Sequence, residues 1–157
     1  SEEEFLTVHD TLTAAGFEHY EVSNYALPGF RARHNASYWH GTKYLGIGPA
    51  AHSFDGEERH WNASSVEKYI AGAPAGKEVL TLRDRFNEYV MTALRTVEGI
   101  DLEEAAARFG AKRLARMQEE AAPFLRSGTL RIVRGRMALP PEKFLISDAV
   151  IGALFET

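Results

Sequence analysis

His34, Asn35, Tyr38, Trp39 and His52 fall within one stretch, RHNASYWHGTKYLGIGPAAHSF, at residues 33–54. A neutral imidazole can hold a transition metal or move a proton near neutral pH. Phenol and indole rings offer flat apolar walls with one polar tip. Gly41, Gly46 and Gly48 interrupt the segment, and glycine lets a partner approach the backbone closely. Polar and aromatic groups gathered on a loop between rigid elements mark a place for function. The histidines share no regular spacing with Asp or Glu of the kind zinc sites use, so a zinc centre is not expected. Gly46-x-Gly48 lacks the third glycine and following helix of a dinucleotide fingerprint.

Composition bounds what such a loop can serve. The chain has 157 residues, 45% of them hydrophobic, which is enough for one ordinary core or a fragment plus a small domain. It has no cysteine, which excludes disulfides, thiolate zinc and cysteine-held iron–sulfur clusters within it. No run approaches the ~18 apolar residues of a membrane span, so no integral membrane segment is expected and a cytoplasmic protein is. The opening SEEEFLTVHD lacks Met and reads as a piece cut from something longer. Net charge is −4, unevenly spread: residues 1–30 hold six acidic side chains and no Lys or Arg. Residues 111–136 hold Lys112, Arg113, Arg116, Arg126, Arg131, Arg134 and Arg136 against Glu119 and Glu120. That asymmetry points to two parts with different surroundings.

Elements that would position the loop can be read on both sides of it. Ser1 and Glu4 have capping-box spacing, with Phe5, Val8, Leu12 and Ala15 on one helical face up to Gly16. Phe17–Tyr25 reads as one short buried strand, completing the αβ half of a βα unit. Glu21, Ser23 and Asn24 would then sit at the strand end, facing a cavity or forming a plain network. Tyr44–Gly48 reads as a second buried strand. Asp55-Gly56 marks a hairpin, and Ser64 with Glu67 opens a short helix ending at Gly72. Ala73–Gly76 is the linker candidate. Beyond it come an amphipathic helix carrying Leu82, Phe86, Tyr89, Val90, Leu94 and Val97, and a second capped by Asp101 with Glu104. A third runs over about 111–126, with Leu114, Met117, Ala121 and Leu125 inward and Pro123 expected to kink or shorten it. A hairpin around Arg134-Gly135 and a last helix with Ala149, Val150, Leu154 and Phe155 follow. Three helices and a two-stranded wing are the winged-helix order. Lys112, Arg113, Arg116 and Gln118 would lie on its third helix, but the chain is acidic overall and nucleic-acid binding is not expected.

YEVSNYALPGFRARHNASYW (residues 20–39) followed by YLGIGPAAHSF (44–54) closely resembles the C-terminal half of HemW-type haem chaperones. These are radical-SAM proteins that resemble oxygen-independent coproporphyrinogen III oxidases. His34-Asn35-x-x-Tyr38-Trp39 matches the HNxxYW motif that separates this family from the true oxidases. Gly48-Pro49-Ala50-Ala51-His52-Ser53 resembles its GPGAHS segment, with Ala50 where glycine is usual. The resemblance covers essentially the whole chain and is strongest over 17–62.

That resemblance implies an α/β plus α architecture. Residues 1–72 would be the last helix, last strand and closing segments of a partial (β/α) radical-SAM barrel, and 77–157 a small winged-helix-like helical domain. It implies a [4Fe-4S] cluster and S-adenosylmethionine in the full-length protein only, because the CxxxCxxC motif is not in this chain. Alone, the chain should be inactive as a radical enzyme. Haem or porphyrin is the implied ligand and apo-haemoproteins the implied recipients. His34 and His52 are the candidate iron ligands, Tyr38 a wall or phenolate ligand, and Trp39 a wall. Asn35 could orient a histidine or hold a propionate, and Arg31 or Arg33 could pair with propionates. Each residue has a plainer role open to it: His34 and His52 as loop hydrogen-bonders, Tyr38 and Trp39 as packing aromatics, His40 and His60 as solvated neighbours. The chain could also belong to a coproporphyrinogen oxidase or be a docking module, and a severed barrel edge could dimerise.

Overall fold

The computed structural model describes residues 1–32, 43–74 and 76–157. Helix α1, Glu2–Ala14, starts as its sequence indicates: the Ser1 hydroxyl accepts from the Glu4 N–H at 3.3 Å while the Glu4 carboxylate reaches back to the Ser1 nitrogen. No residue of α1 is fully buried, and its Phe5 and His9 lean on the next element.

That element corrects the single-strand expectation. Phe17–Tyr25 is not one strand. It holds β1 (Glu18–Glu21) and the start of β2 (Asn24–Ala26), paired antiparallel with His19 opposite Tyr25. The chain reverses because the Glu21 carboxylate accepts both the Ser23 N–H, at 2.9 Å, and the Asn24 side-chain amide. Such local bonds compete with extended pairing. Glu21, Ser23 and Asn24 thus form the plain network, closed by Arg95 Nε 3.6 Å from Glu21.

Three further strands form an antiparallel sheet: β3 (His52–Phe54), β4 (Glu58–Trp61) and β5 (Gly76–Val79). The Asp55-Gly56 turn joins β3 to β4 as expected, with Asp55 Oδ1 accepting the Glu57 and Glu58 N–H groups at 2.9 and 2.7 Å. Helix α2, Val66–Ile70, is capped by Ser65 rather than Ser64. Gly76, placed in the linker from sequence, is instead the first residue of β5, which runs back along β4.

The apolar core lies in the remaining chain. Helix α3, Leu82–Leu94, opens with a Thr81–Asp84 capping box that the sequence reading missed, and buries Phe86, Val90 and Leu94 at four-residue spacing. The two-residue strand β6 (Ile100–Asp101) leads into α4 (Leu102–Phe109), and α5 (Ala111–Arg126) buries Met117 and Ala121. Pro123 does not end α5: the helix runs on to Arg126, although proline has no N–H to give the carbonyl four residues back. Strands β7 (Arg131–Val133) and β8 (Arg136–Ala138) turn through Arg134 and Gly135, both at positive φ, and pair in the order β6-β8-β7. A 3-10 helix (Pro141–Ile146) and α6 (Ser147–Leu154) add Phe144, Val150, Ile151 and Leu154 to the core. Ala149 faces out instead. Tyr89 is fastened to the Asp101 backbone, and burial, with the Glu104 charge, pushes its phenol up to about 12.

First and second parts of the chain meet around His19, which is 3% exposed. Its ring stacks on Tyr25 at 4.0 Å and meets the edge of Phe144 at 5.0 Å. Its Nε2 lies 3.2 Å from the Val22 carbonyl and its Nδ1 3.0 Å from His9 Nδ1. A neutral Nε2–H tautomer donates to Val22 and leaves Nδ1 to accept from His9. Two protonated rings would set two N–H groups against each other. Burial therefore holds the His19 imidazolium below its ordinary value, His9 adding to the shift and Val22 and Glu21 opposing it. The unfolded chain then binds more protons, so stability is full above the unfolded value of 6.5 and falls as pH drops through it. Thermal unfolding between pH 7.5 and 5 should show this decline, and His19→Gln should flatten it. An equal decline in both proteins would assign the loss to other groups.

Candidate functional site

His52 stands on β3 directly opposite Trp61 of β4, and Trp61 stands opposite Gly76 of β5. The three form one row across the sheet. His52 is exposed, Trp61 is 37% exposed, and their ring centres are 6.0 Å apart. Gly76 makes the row possible: a Cβ there would come within 2.2 Å of the indole. The indole thus lies over the β5 backbone where any other residue would put a side chain.

Residues 44–48 do not form the expected buried strand. Tyr44 makes one antiparallel bridge with Phe54, while Leu45 and Ile47 are 80% and 84% exposed. The segment is a loop pinned along the β3 edge. Gly46 N–H donates to Ser53 Oγ at 3.0 Å, and a Cβ at Gly46 would collide with the His52 carbonyl. The Asn62 amide donates to the Gly46 and Gly48 carbonyls at 3.3 and 2.9 Å, and Gly48 N–H donates to Tyr69 Oη at 3.2 Å. The Ala50 N–H bonds the Ala63 carbonyl. Ala50 itself is held at φ 57°, the left-handed region where a Cβ is costly. Glycine, usual there in the resemblance, would avoid that strain.

Of the residues singled out from sequence, His52 lies in this row. His34, Asn35, Tyr38 and Trp39, with Arg33 and His40, lie outside the described residues. Arg31 is committed elsewhere: it bonds Glu18 at 2.9 Å and Glu98 at 2.5 Å, and its guanidinium covers the Tyr20 ring. His60 is not merely solvated, since Nε2 sits 3.4 Å from Glu58 and 3.9 Å from Asp55 on the sheet face opposite His52. Those three groups could converge on a cation, but the Asp55 carboxylate already caps the hairpin, whose N–H groups hold it below the usual carboxylate range. A cavity of about 180 Å³ lies between the hairpin and the helical part beside Tyr20, Tyr89, Arg31, Glu98 and Arg136. Its arginines are tied to carboxylates, Arg136 to Asp101 at 3.2 Å. Trp61, Asn62, Tyr69 and Gly76 were missed from sequence. The Asp55-Gly56 signal marked the hairpin but not what Trp61 faces.

Residues 80–146 match the model of the HemN C-terminal domain. Over 149 residues it is 38% identical to the Heme chaperone HemW of Mycobacterium tuberculosis, covering 91% of this chain and 36% of that protein. It is 36% identical over 106 residues to the Heme chaperone HemW of Lactococcus lactis, covering 65% of this chain and 28% of that one. The chain thus spans about a third of the length of these relatives. The coproporphyrinogen III oxidase HemN from Escherichia coli, a radical SAM enzyme, superposes with a TM-score of 0.70 at 16% identity, covering 96% of this chain and 39% of that one. That match places the α/β fold with part of the HemN fold. A cluster held by thiolates does not fit the residues present, because the chain has no cysteine.

Asn62→Ala should destabilise the chain by about 1–3 kcal/mol, because the Gly46 and Gly48 carbonyls lose their donor. Amide exchange at Gly46, Gly48 and Ala50 should quicken with it; unchanged exchange would show that Asn62 does not hold the loop. Ala50→Gly should gain up to ~1 kcal/mol in urea unfolding by removing left-handed strain, and a loss of stability would refute that account.

Proposed function

We propose that this chain is the C-terminal part of a radical-SAM haem chaperone-type protein, and that it helps hold haem as cargo for transfer to apo-haemoproteins. The observation that carries this is the exposed His52 beside Trp61, pinned by the glycine loop, in a chain similar to proteins named Heme chaperone HemW. An imidazole can ligate haem iron and an indole can cover part of the macrocycle. His52 and His34 are the proposed iron ligands, with Asn35, Tyr38 and Trp39 completing the pocket. The full-length protein would hold a [4Fe-4S] cluster and S-adenosylmethionine on residues outside this chain.

Residues 1–72 are assigned as closing segments of a partial β/α barrel and 77–157 as the helical domain. The succession α3, β6, α4, α5, β7, β8 supports a winged-helix relationship. That module is not assigned to nucleic acid. Arg113 of α5 pairs with Glu156, and Arg116 donates to the Phe155 carbonyl at 2.6 Å, so both bind the chain's own end. Among the described residues no helix is long and apolar enough to cross a membrane, and a cytoplasmic location fits the proposed role. Exposed Leu45 and Ile47 leave an apolar edge through which barrel segments or a second copy could pair.

Titration with hemin, followed by visible absorption, tests the reading. A stoichiometric shift of the Soret band is expected, with His52→Ala and His34→Ala each weakening binding by about tenfold or more, ~1.4 kcal/mol. No Soret shift with the unsubstituted chain would sink it.

A further inference from the structure

The His52 row opens onto a depression of about 330 Å³ lined by His52, Trp61, Asn62, Ser64, Lys68 and Gly76. It has three chemically distinct sides. One is the imidazole. The second is the indole, whose position is fixed from beneath by the bare backbone of Gly76. The third is the Lys68 side chain, exposed on α2 and without an ion pair among the described residues. Helix α2 is set against the same loop by the Tyr69 hydroxyl, which accepts the Gly48 N–H, so Lys68 is carried on an element tied to the His52 side of the sheet.

From this juxtaposition we infer that Trp61 and Lys68 form the ring wall and carboxylate anchor of one porphyrin-binding edge, with His52 on its iron side. The inference rests on the haem reading above and deepens it. A planar macrocycle with carboxylate arms fits the arrangement: the indole offers a flat apolar surface, and a lysine ammonium pairs with a carboxylate as a point charge. Holding the indole in place beforehand limits the ordering cost of binding. Nothing in the sequence resemblance singles out either residue. Both emerge from the cross-strand register and the seating of α2.

The test is hemin and hemin dimethyl ester titrated into this chain and into Trp61→Ala, Trp61→Phe and Lys68→Gln, with circular dichroism to check folding. Trp61→Ala should weaken hemin binding roughly three- to tenfold, and Trp61→Phe should restore most of it. Lys68→Gln, a surface change that spares the fold, should weaken hemin about two- to fivefold and leave the ester unaffected. The Soret position should stay fixed in all three, unlike in His52→Ala. If hemin binds the unsubstituted chain but Trp61→Ala and Lys68→Gln bind it equally well, this inference falls and the haem reading stands. Equal weakening of hemin and its ester by Lys68→Gln would overturn the carboxylate anchor. Failure of the unsubstituted chain to bind either compound would remove the haem reading and this inference together.

Discussion

Two main-chain hydrogen bonds join the β1–β2 hairpin to the helical part of this chain: Val22 N–H to the Arg95 carbonyl at 2.9 Å, and Val97 N–H to the Tyr20 carbonyl at 3.1 Å. They extend the β1–β2 hairpin onto the segment leaving α3, and much else depends on that seam. It places the buried Glu21 carboxylate beside Arg95 and brings His19 against Phe144. Helix α3 then serves as the post for several attachments. Glu88 takes Arg59 of β4 at 2.7 Å, and Asn87 exchanges two hydrogen bonds with Glu156. Each exposed pair contributes little by itself. Their common origin on a helix fixed by three core side chains is what gives them geometry.

Local signals in the sequence proved trustworthy wherever the responsible chemistry is also local. The Ser1–Glu4 cap, the Asp55-Gly56 hairpin, the Asp101 cap and the Arg134-Gly135 turn all form where side chain and backbone a few residues apart decide the outcome. Failures occurred where a distant partner decides. FEHYEVSNY has the composition of one strand, yet it folds into a hairpin whose Val22 and Tyr20 backbone groups pair with Arg95 and Val97, far along the chain. YLGIG has the composition of a buried strand, yet Asn62, Ser53 and Tyr69 gather its backbone groups into a pinned loop. Gly76 resembled linker material because its role, making room for Trp61, is visible only in cross-strand register.

Legibility of the candidate site divides in the same way. His52 could be found from sequence because it sits in a motif with a recognisable family resemblance. Trp61 and Lys68 are nine and sixteen residues downstream, on a strand and a short helix that look ordinary in sequence, and only β-pairing and the Tyr69–Gly48 contact bring them to the same depression. Arg31 shows the converse error. Its type suits a propionate, but the fold commits it to Glu18 and Glu98 at the seam between the two parts. Residue type proposes chemistry; neighbours decide whether the group is available.

An open site is also what the proposed transfer role requires. A ligand enclosed in a deep apolar pocket leaves slowly, since affinity among related sites is set mostly by the dissociation rate. Here the imidazole is exposed and the indole partly so, while the surrounding backbone is restrained and Ala50 is held at a conformation that costs about 1–2 kcal/mol. Rigidity of the frame and openness of the face have different consequences. The frame keeps the His52 and Trp61 backbone in register, so a ligand need not organise it on arrival. The open face limits how much of the ligand is buried, so a competing apo-protein with a deeper pocket can take it over. The proposed carrier role needs both properties, and under that reading the Gly76–Trp61–His52 row with its pinned loop supplies them through separate parts of the structure.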